Sequence, residues 1–202
     1  MNITVNTQSS IRIESDKVYY FDPIEIKEER HDADFIFVTH EHFDHFSIDT
    51  IKNIEKEDTI YVIPDNMYQL LGGENVICLN PNETADVDGV HFETVPSYNN
   101  TKQFHPKDKE NLGYIVTIEN KRVYVMGDCD INEDNLKVKA DIILIPIGGK
   151  YTFDYKEAAD YIDQVKPELV IPTHYGGIVG KKDDGEKFKE LIDKDINVEI
   201  KL

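Results

Sequence analysis

Absences narrow this chain of 202 residues before any motif is read. It has no run of roughly 18 apolar residues, so nothing is expected to span a bilayer. Its first residues, Met1-Asn-Ile-Thr-Val-Asn-Thr-Gln, contain neither a basic nor an apolar segment, which predicts no secretory leader. Only two cysteines occur, Cys78 and Cys129, too far apart for a disulfide framework, and a reducing cytoplasm is the expected compartment. Positive charge is scarce: 22 Lys and Arg face 40 Asp and Glu, for a net charge of −18. A field of that sign repels polyanions, and no basic stripe offsets it, so a nucleic-acid substrate is disfavoured. There is no fixed-period repeat, no low-complexity segment and no Gly-x-Ser-x-Gly elbow to present a serine nucleophile. What remains is 40% hydrophobic and 31% charged, the balance of one globular domain over residues 1–202 with a real core.

One stretch stands out against this background, Phe35-Ile-Phe-Val-Thr-His-Glu-His-Phe-Asp-His45. A run of apolar β-formers ends in four potential metal ligands, His40, His42, Asp44 and His45, within six residues. Imidazole nitrogen and carboxylate oxygen suit zinc and similar divalent ions. In extended backbone His40 and His42 point to the same side, while Asp44 and His45 can turn towards a second ion. A lone loop histidine is usually solvated or packed. Three of the chain's seven within six positions, with an acid among them, favour metal binding.

The rest of the chain reads as alternating strands and helices, an α/β pattern. Strands are expected across residues 1–26, ending at Asp22-Pro23, where Asp22 reads as a turn former. His31 lies in a charged stretch and is expected to be exposed and idle. A helix of about 48–57, capped by Ser47 and stapled by Phe46 on Ile51, would bury Ile48, Ile51 and Ile54 and pin the histidine loop. Strands follow at 59–63, 76–79 and 90–95, with a short helix at 66–71 and Cys78 as a core residue. Residues 97–112 form a long loop holding His105; a first ion bound by His40 and His42 needs a third ligand, and His105 and His91 compete for that place. A hairpin over 113–126 leads to Gly127-Asp128-Cys129-Asp130. Asp128, just past a strand and a glycine, can bridge two ions or simply form a turn; Cys129 reads as a packing residue and Asp130 as a supporting acid or cap. The buried strand 140–147 precedes a helix of about 155–165 with Asp154 and Glu157 as its capping box. Strand 169–172 delivers His174 into a glycine turn, as ligand or core residue. A closing helix over 186–193, with Phe188, Leu191 and Ile192 inward, and an edge strand 198–202 complete the chain.

The residues quoted resemble those of the metallo-β-lactamase fold superfamily. Its signature His-x-His-x-Asp-His stands complete as His40-Glu41-His42-Phe43-Asp44-His45. Val95-Pro-Ser-Tyr-Asn99, Phe104-His-Pro-Lys107, Gly127-Asp-Cys-Asp130, Pro146-Ile-Gly-Gly149 and Ile171-Pro-Thr-His-Tyr-Gly176 follow in the family's order, most closely that of its short prokaryotic metal-dependent hydrolases. The resemblance implies a four-layer αβ/βα sandwich with metals at one edge between two sheets. It implies two divalent ions, zinc before manganese or iron: one on His40, His42 and His105, the other on Asp44, His45 and His174, with Asp128 bridging. The family often places the third ligand at the position of Asn99, so Asn99 and Asn100 stand as substitutes for His105. Hydrolysis by an activated hydroxide would follow, with Asp44 and Asp128 at the reacting centre and Lys150, Tyr151 and Tyr175 as candidates for steadying a small-molecule substrate. The substrate bond stays open among ester, phosphodiester, lactone and thioester. Di-iron flavoprotein oxidoreductases of the superfamily carry glutamate where this chain has His42, which favours hydrolysis over that alternative; a non-catalytic metal-binding module is the third reading.

Overall fold

The period-two alternation of side chains along its strands accounts for the layering of this protein, whose computed structural model describes residues 1–202. In order, the elements are β1 (Asn2–Thr7), β2 (Ser10–Glu14), β3 (Val18–Phe21), β4 (Phe35–Phe37), α1 (Ile48–Ile54), β5 (Ile60–Pro64), α2 (Tyr68–Leu71), β6 (Val76–Leu79), β7 (Thr84–Val87) and β8 (Val90–Pro96). They continue as β9 (Leu112–Ile118), β10 (Lys121–Val125), β11 (Ile142–Pro146), α3 (Tyr155–Val165), β12 (Leu169–Thr173), α4 (Asp184–Leu191) and β13 (Asn197–Val198). Strands β1 to β6 form one sheet in sequence order and β13 to β7 the other, in the order β13-β12-β11-β10-β9-β8-β7. Each sheet joins an antiparallel meander to a parallel run, β3-β4-β5-β6 in the first and β10-β11-β12-β13 in the second.

Strand β4 shows why its residues are apolar at every position. Phe35 and Phe37 point between the sheets, where Phe37 stacks on Phe21 at 4.8 Å and meets Phe92 and Tyr114 edge-on at 5.4 and 5.1 Å. Such aromatic pairs add roughly 0.5–1.5 kcal/mol each beyond their buried area. Ile36 points the other way, to pack with Ile51 and Ile54 of α1. Strand β11 repeats the pattern: Ile142 and Leu144 face the other sheet, while Ile143 and Ile145 face Ala158 and Ile162 of α3 and Phe188 of α4. Three apolar interfaces therefore separate four layers, helix, sheet, sheet and helix, an αβ/βα sandwich.

Ser47 caps α1 by accepting from Thr50 N at 3.3 Å, and Asp154 with Glu157 forms the reciprocal box that starts α3. Some sequence expectations are corrected. Helix α1 stops at Ile54, since Lys56 N donates to the Thr59 hydroxyl at 2.8 Å and the chain turns into β5. Ile48 and Leu191 are exposed, so the buried faces rest on Ile51 with Ile54 and on Phe188 with Ile192. Strand β7 is an unforeseen exposed edge, and the last strand is the two residues Asn197 and Val198. No helix is long and apolar enough to cross a membrane.

Because β3 and β4 run parallel in one sheet and β10, β11 and β12 in the other, the segments leaving their C-terminal ends can meet at one edge of the sandwich. Open α/β sheets place their sites outside such strand ends.

Candidate metal centre

Six of the seven histidine and aspartate side chains gathered at this edge are buried or half-buried, and they fall into overlapping groups. The ligand atoms of His40, His42 and His105 lie within 4.8 Å of one another, as do those of His40, His45 and Asp128, and those of Asp44, His45 and His174. His40 Nε2 and His105 Nε2 each stand 3.1 Å from His42 Nδ1, and His174 Nε2 stands 3.1 Å from His45 Nε2 and 3.4 Å from Asp44 Oδ2. Asp128 lies between the groups: Oδ1 is 3.3 Å from His45 Nε2 and 3.5 Å from His174 Nε2, while Oδ2 is 3.6 Å from His105 Nε2.

Local structure sets each side chain. The His42 carbonyl accepts from His45 N and Phe46 N, both at 2.9 Å, which folds the motif into a turn that α1 then anchors. His105 rides on a loop clamped from both sides. Asn99 N donates to the His105 carbonyl at 2.9 Å and Asn99 Nδ2 to the Phe104 and Tyr151 carbonyls at 2.7 Å, while Asp130 accepts from Asn100 N, Thr101 N and Thr101 Oγ1. Asn99 and Asn100 thus hold the loop, and the side chain that reaches His42 is that of His105. His91 pairs with Asp86 at 2.9 Å on the exposed β7–β8 hairpin and is not brought to the centre. His31 stays exposed, its Nδ1 2.8 Å from the Glu55 carbonyl. His105 and His174 both adopt left-handed backbone, φ 55° and 57°, at a cost of ~1–2 kcal/mol each for an L-residue. A side chain at Gly148 would meet the His174 carbonyl at 2.5 Å, and one at Gly127 the Leu112 carbonyl at 2.8 Å, so glycine at both places lets the backbone close in.

Asp22 is the residue that sequence reasoning undervalued. It is fully buried, and its Oδ1 accepts from Thr39 N while Oδ2 accepts from Thr39 Oγ1 and His45 Nδ1, each at 2.7 Å. Thr39 Oγ1, its proton given to Asp22, accepts in turn from His40 Nδ1 at 2.9 Å. The network assigns the Nδ1–H tautomer to both His40 and His45, leaving their Nε2 lone pairs aimed at the centre. The only sequence signal was an acid ending an apolar strand. Its meaning depends on the parallel pairing of Phe21 with Phe37, which brings residue 22 beside Thr39.

This donor set fits a cation. Ligand nitrogens about 2.0–2.1 Å from a tetrahedral ion stand about 3.3 Å apart, close to the 3.1 Å separations here. Buried Asp128 Oδ1 has no hydrogen-bond partner although nitrogens surround it. Burial alone would raise the Asp128 pKa, but His174, His45 and His40 hold it well below the usual carboxylate value. Burial would likewise lower His45, yet the Asp128 and Asp22 carboxylates hold it well above the ordinary imidazole value. His40 is pushed well below that value by burial and by His45. Acids that draw positive charge to His45 would favour a dication at the same place.

The centre floors a cleft of about 260 Å³, where His42, Asp44, His105 and Asp128 meet Phe43, Phe104, Tyr151 and Ile178. Of the residues expected to steady a substrate, Tyr151 lines this cleft. Lys150 is exposed, its ammonium 4.8 Å from the centre of the Tyr151 ring, and it does not line the cleft. Tyr175 does not reach it either: the left-handed turn at His174 sends it into the core with Phe188, beneath the helix layer.

A two-sheet sandwich with clustered histidines and aspartates at the strand ends defines a metallohydrolase-type scaffold, and comparison with known proteins agrees. Residues 2–174 match the family described as the beta-lactamase superfamily domain. The UPF0173 metal-dependent hydrolase of Pyrococcus abyssi is 32% identical over 169 residues, 80% of this chain and 75% of that one. The corresponding Thermococcus onnurineus protein is 30% identical over 82% of this chain and 77% of its own. A crystal structure from Parabacteroides distasonis, of a protein assigned as a metal-dependent hydrolase, superposes with a TM-score of 0.85 at 29% identity over 99% of this chain and 92% of that one. The chain belongs to the metal-dependent hydrolases of the β-lactamase superfamily.

Proposed function

We propose that the protein hydrolyses an ester-type bond of a small molecule with the aid of two divalent ions, zinc before manganese or iron. The position of Asp128 carries the two-ion reading, since one of its oxygens faces His45 and His174 and the other faces His105. His40, His42 and His105 would hold the first ion and Asp44, His45 and His174 the second, with Asp128 shared. Such a pair, when bound, supplies Lewis acidity and a hydroxide nucleophile at neutral pH.

The chain's own groups do the rest. Thr39 and Asp22 keep His40 and His45 in one tautomer, which fixes the direction of their lone pairs. Asp44 is half-buried in the cleft; burial would raise its pKa, but its bond to His174 holds it below the usual carboxylate value. It therefore faces the substrate ionised, able to orient an attacking water and accept its proton. Tyr151 and the apolar walls limit access by bulk water. The bond cleaved is a carboxylic ester, lactone, thioester or phosphodiester. Two free cysteines support a reducing cytoplasm as the working compartment.

The test is metal content by elemental analysis of protein purified without added metal. About two ions per chain are expected in the wild type, with loss in His105→Ala and in Asp128→Ala together with hydrolysis. Unchanged metal and turnover in Asp128→Ala would overturn the two-ion reading.

A further inference from the structure

The cleft walls narrow the substrate. Resting on the hydrolase reading above, we infer that the substrate is an uncharged carboxylic ester, open or cyclic, with an apolar acyl arm lying over Phe43, Phe104 and Ile178.

Three of the protein's few exposed large hydrophobic side chains border this one cleft: Phe43 at 79% exposure, Ile178 at 52% and Phe104 at 45%. Scattered exposed apolar residues need no explanation, but a cluster beside reactive groups marks a binding surface. Phe43 stands inside the histidine motif itself, between His42 and Asp44, so whatever rests on its ring lies beside the reacting centre. Phe104 precedes His105 and packs edge-on against Tyr151, centroids 4.7 Å apart, which gives the opposite wall a fixed shape.

The lining favours such an ester over the phosphodiester. Two bound ions could meet the charge of an anion, but a site normally adds Lys or Arg to hold its remaining oxygen, and neither lines this cleft. Lys102 pairs with Glu157 at 2.6 Å and Lys107 with Asp134 at 3.0 Å, while Lys150 rests on the Tyr151 ring without itself lining the cleft. Lys109 borders an adjoining depression that shares His42, Phe104 and His105 with the cleft, where Glu41 accompanies it. The net charge of −18 adds a long-range field against anions. A neutral carbonyl meets neither obstacle. Hydrolysis then forms a bond from water oxygen to the acyl carbon and breaks the acyl–alkoxy bond. One water proton ends on the leaving oxygen, and nothing is oxidised or reduced.

The experiment compares p-nitrophenyl acetate, butyrate and hexanoate with bis(p-nitrophenyl) phosphate on the metal-loaded protein. Full burial of a methylene gives about fourfold (~0.8 kcal/mol), so even partial burial predicts a hexanoate-to-acetate ratio of kcat/KM of about tenfold or more. That ratio should collapse towards one in Phe104→Ser and in Phe43→Ser. A ratio is insensitive to partial metal loss, which scales all esters alike. As a readout independent of turnover, 2-octanone, a neutral ketone that cannot be hydrolysed, should bind in ligand-observed NMR and weaken at least fivefold in Phe104→Ser. A flat chain-length profile in the wild type overturns the inference. Faster cleavage of the phosphodiester overturns it while leaving the hydrolase reading intact. No turnover of any of the four with both ions bound overturns this inference and leaves the hydrolase reading to its own test, metal content and turnover in Asp128→Ala.

Discussion

Asp22 stands outside the groups of candidate ligands, yet it sets the direction of two imidazoles. Its two oxygens accept three short hydrogen bonds inside a fully buried site, so an amide in its place must present an N–H to at least one donor that has nowhere else to turn. Asp22→Asn is therefore expected to leave the fold intact and weaken metal affinity by roughly 10–100-fold. Competition with a chromophoric chelator measures this, and wild-type affinity in the mutant would show that His45 needs no partner. The histidine motif was legible because its density is improbable by chance. Asp22 was not, because its role comes from strand pairing, and its position before Pro23 looked like a turn. Tyr175 erred in the other direction: adjacency to His174 suggested the site, but its ring is buried in the core with Phe188 and does not line the cleft.

At the scale of elements, Asp34 shows how the strand carrying the motif is seated. Its Oδ2 accepts from Val18 N and its Oδ1 from Lys56 Nζ, both at 2.6 Å, joining the start of β3 to the segment after α1. Burial alone would raise the Asp34 pKa, but the Lys56 ammonium and the Val18 N–H hold it below its ordinary value of 3.8. A carboxylate depressed in the folded state stabilises above its ordinary value and loses that contribution as pH falls through the folded one. Asp34→Asn should thus cost about 1 kcal/mol at neutral pH, a deficit that shrinks on acidification below about pH 4. Urea unfolding of both proteins at neutral and acidic pH measures it; a deficit that grows with acid would refute the assignment. The central strands and α3 could be read from alternation and from the capping box. Edge strand β7 could not, since an exposed strand has only Ala85 and Val87 to mark it, and α1 was overextended because Lys56 and Glu57 are as acceptable in a helix as in the turn they form.

For the whole molecule, the centre sits on the seam of the sandwich. Asp22 and residues 40–45 leave the first sheet, and His105, Asp128 and His174 the second. An ion bound there would hold the two sheets together and would bind only the folded form. Chelation should lower the Tm by about 10 °C, the equivalent of ~3–4 kcal/mol for a chain of this size. Calorimetry with and without chelator tests this, and equal melting would mean that the edge is held by packing alone.

Seen as polymer topology, the same seam closes loops in a chain whose two cysteines are both free. His42 and His105 lie 63 residues apart, and His45 and His174 lie 129 apart. Because the entropy of closing a loop grows only as the logarithm of its length, doubling the span costs just ~0.6 kcal/mol more. Each tie would restrict the unwound chain almost equally, so the metals would do for this protein what a pair of long-range covalent cross-links does for others, and a chelator could undo it without breaking a covalent bond.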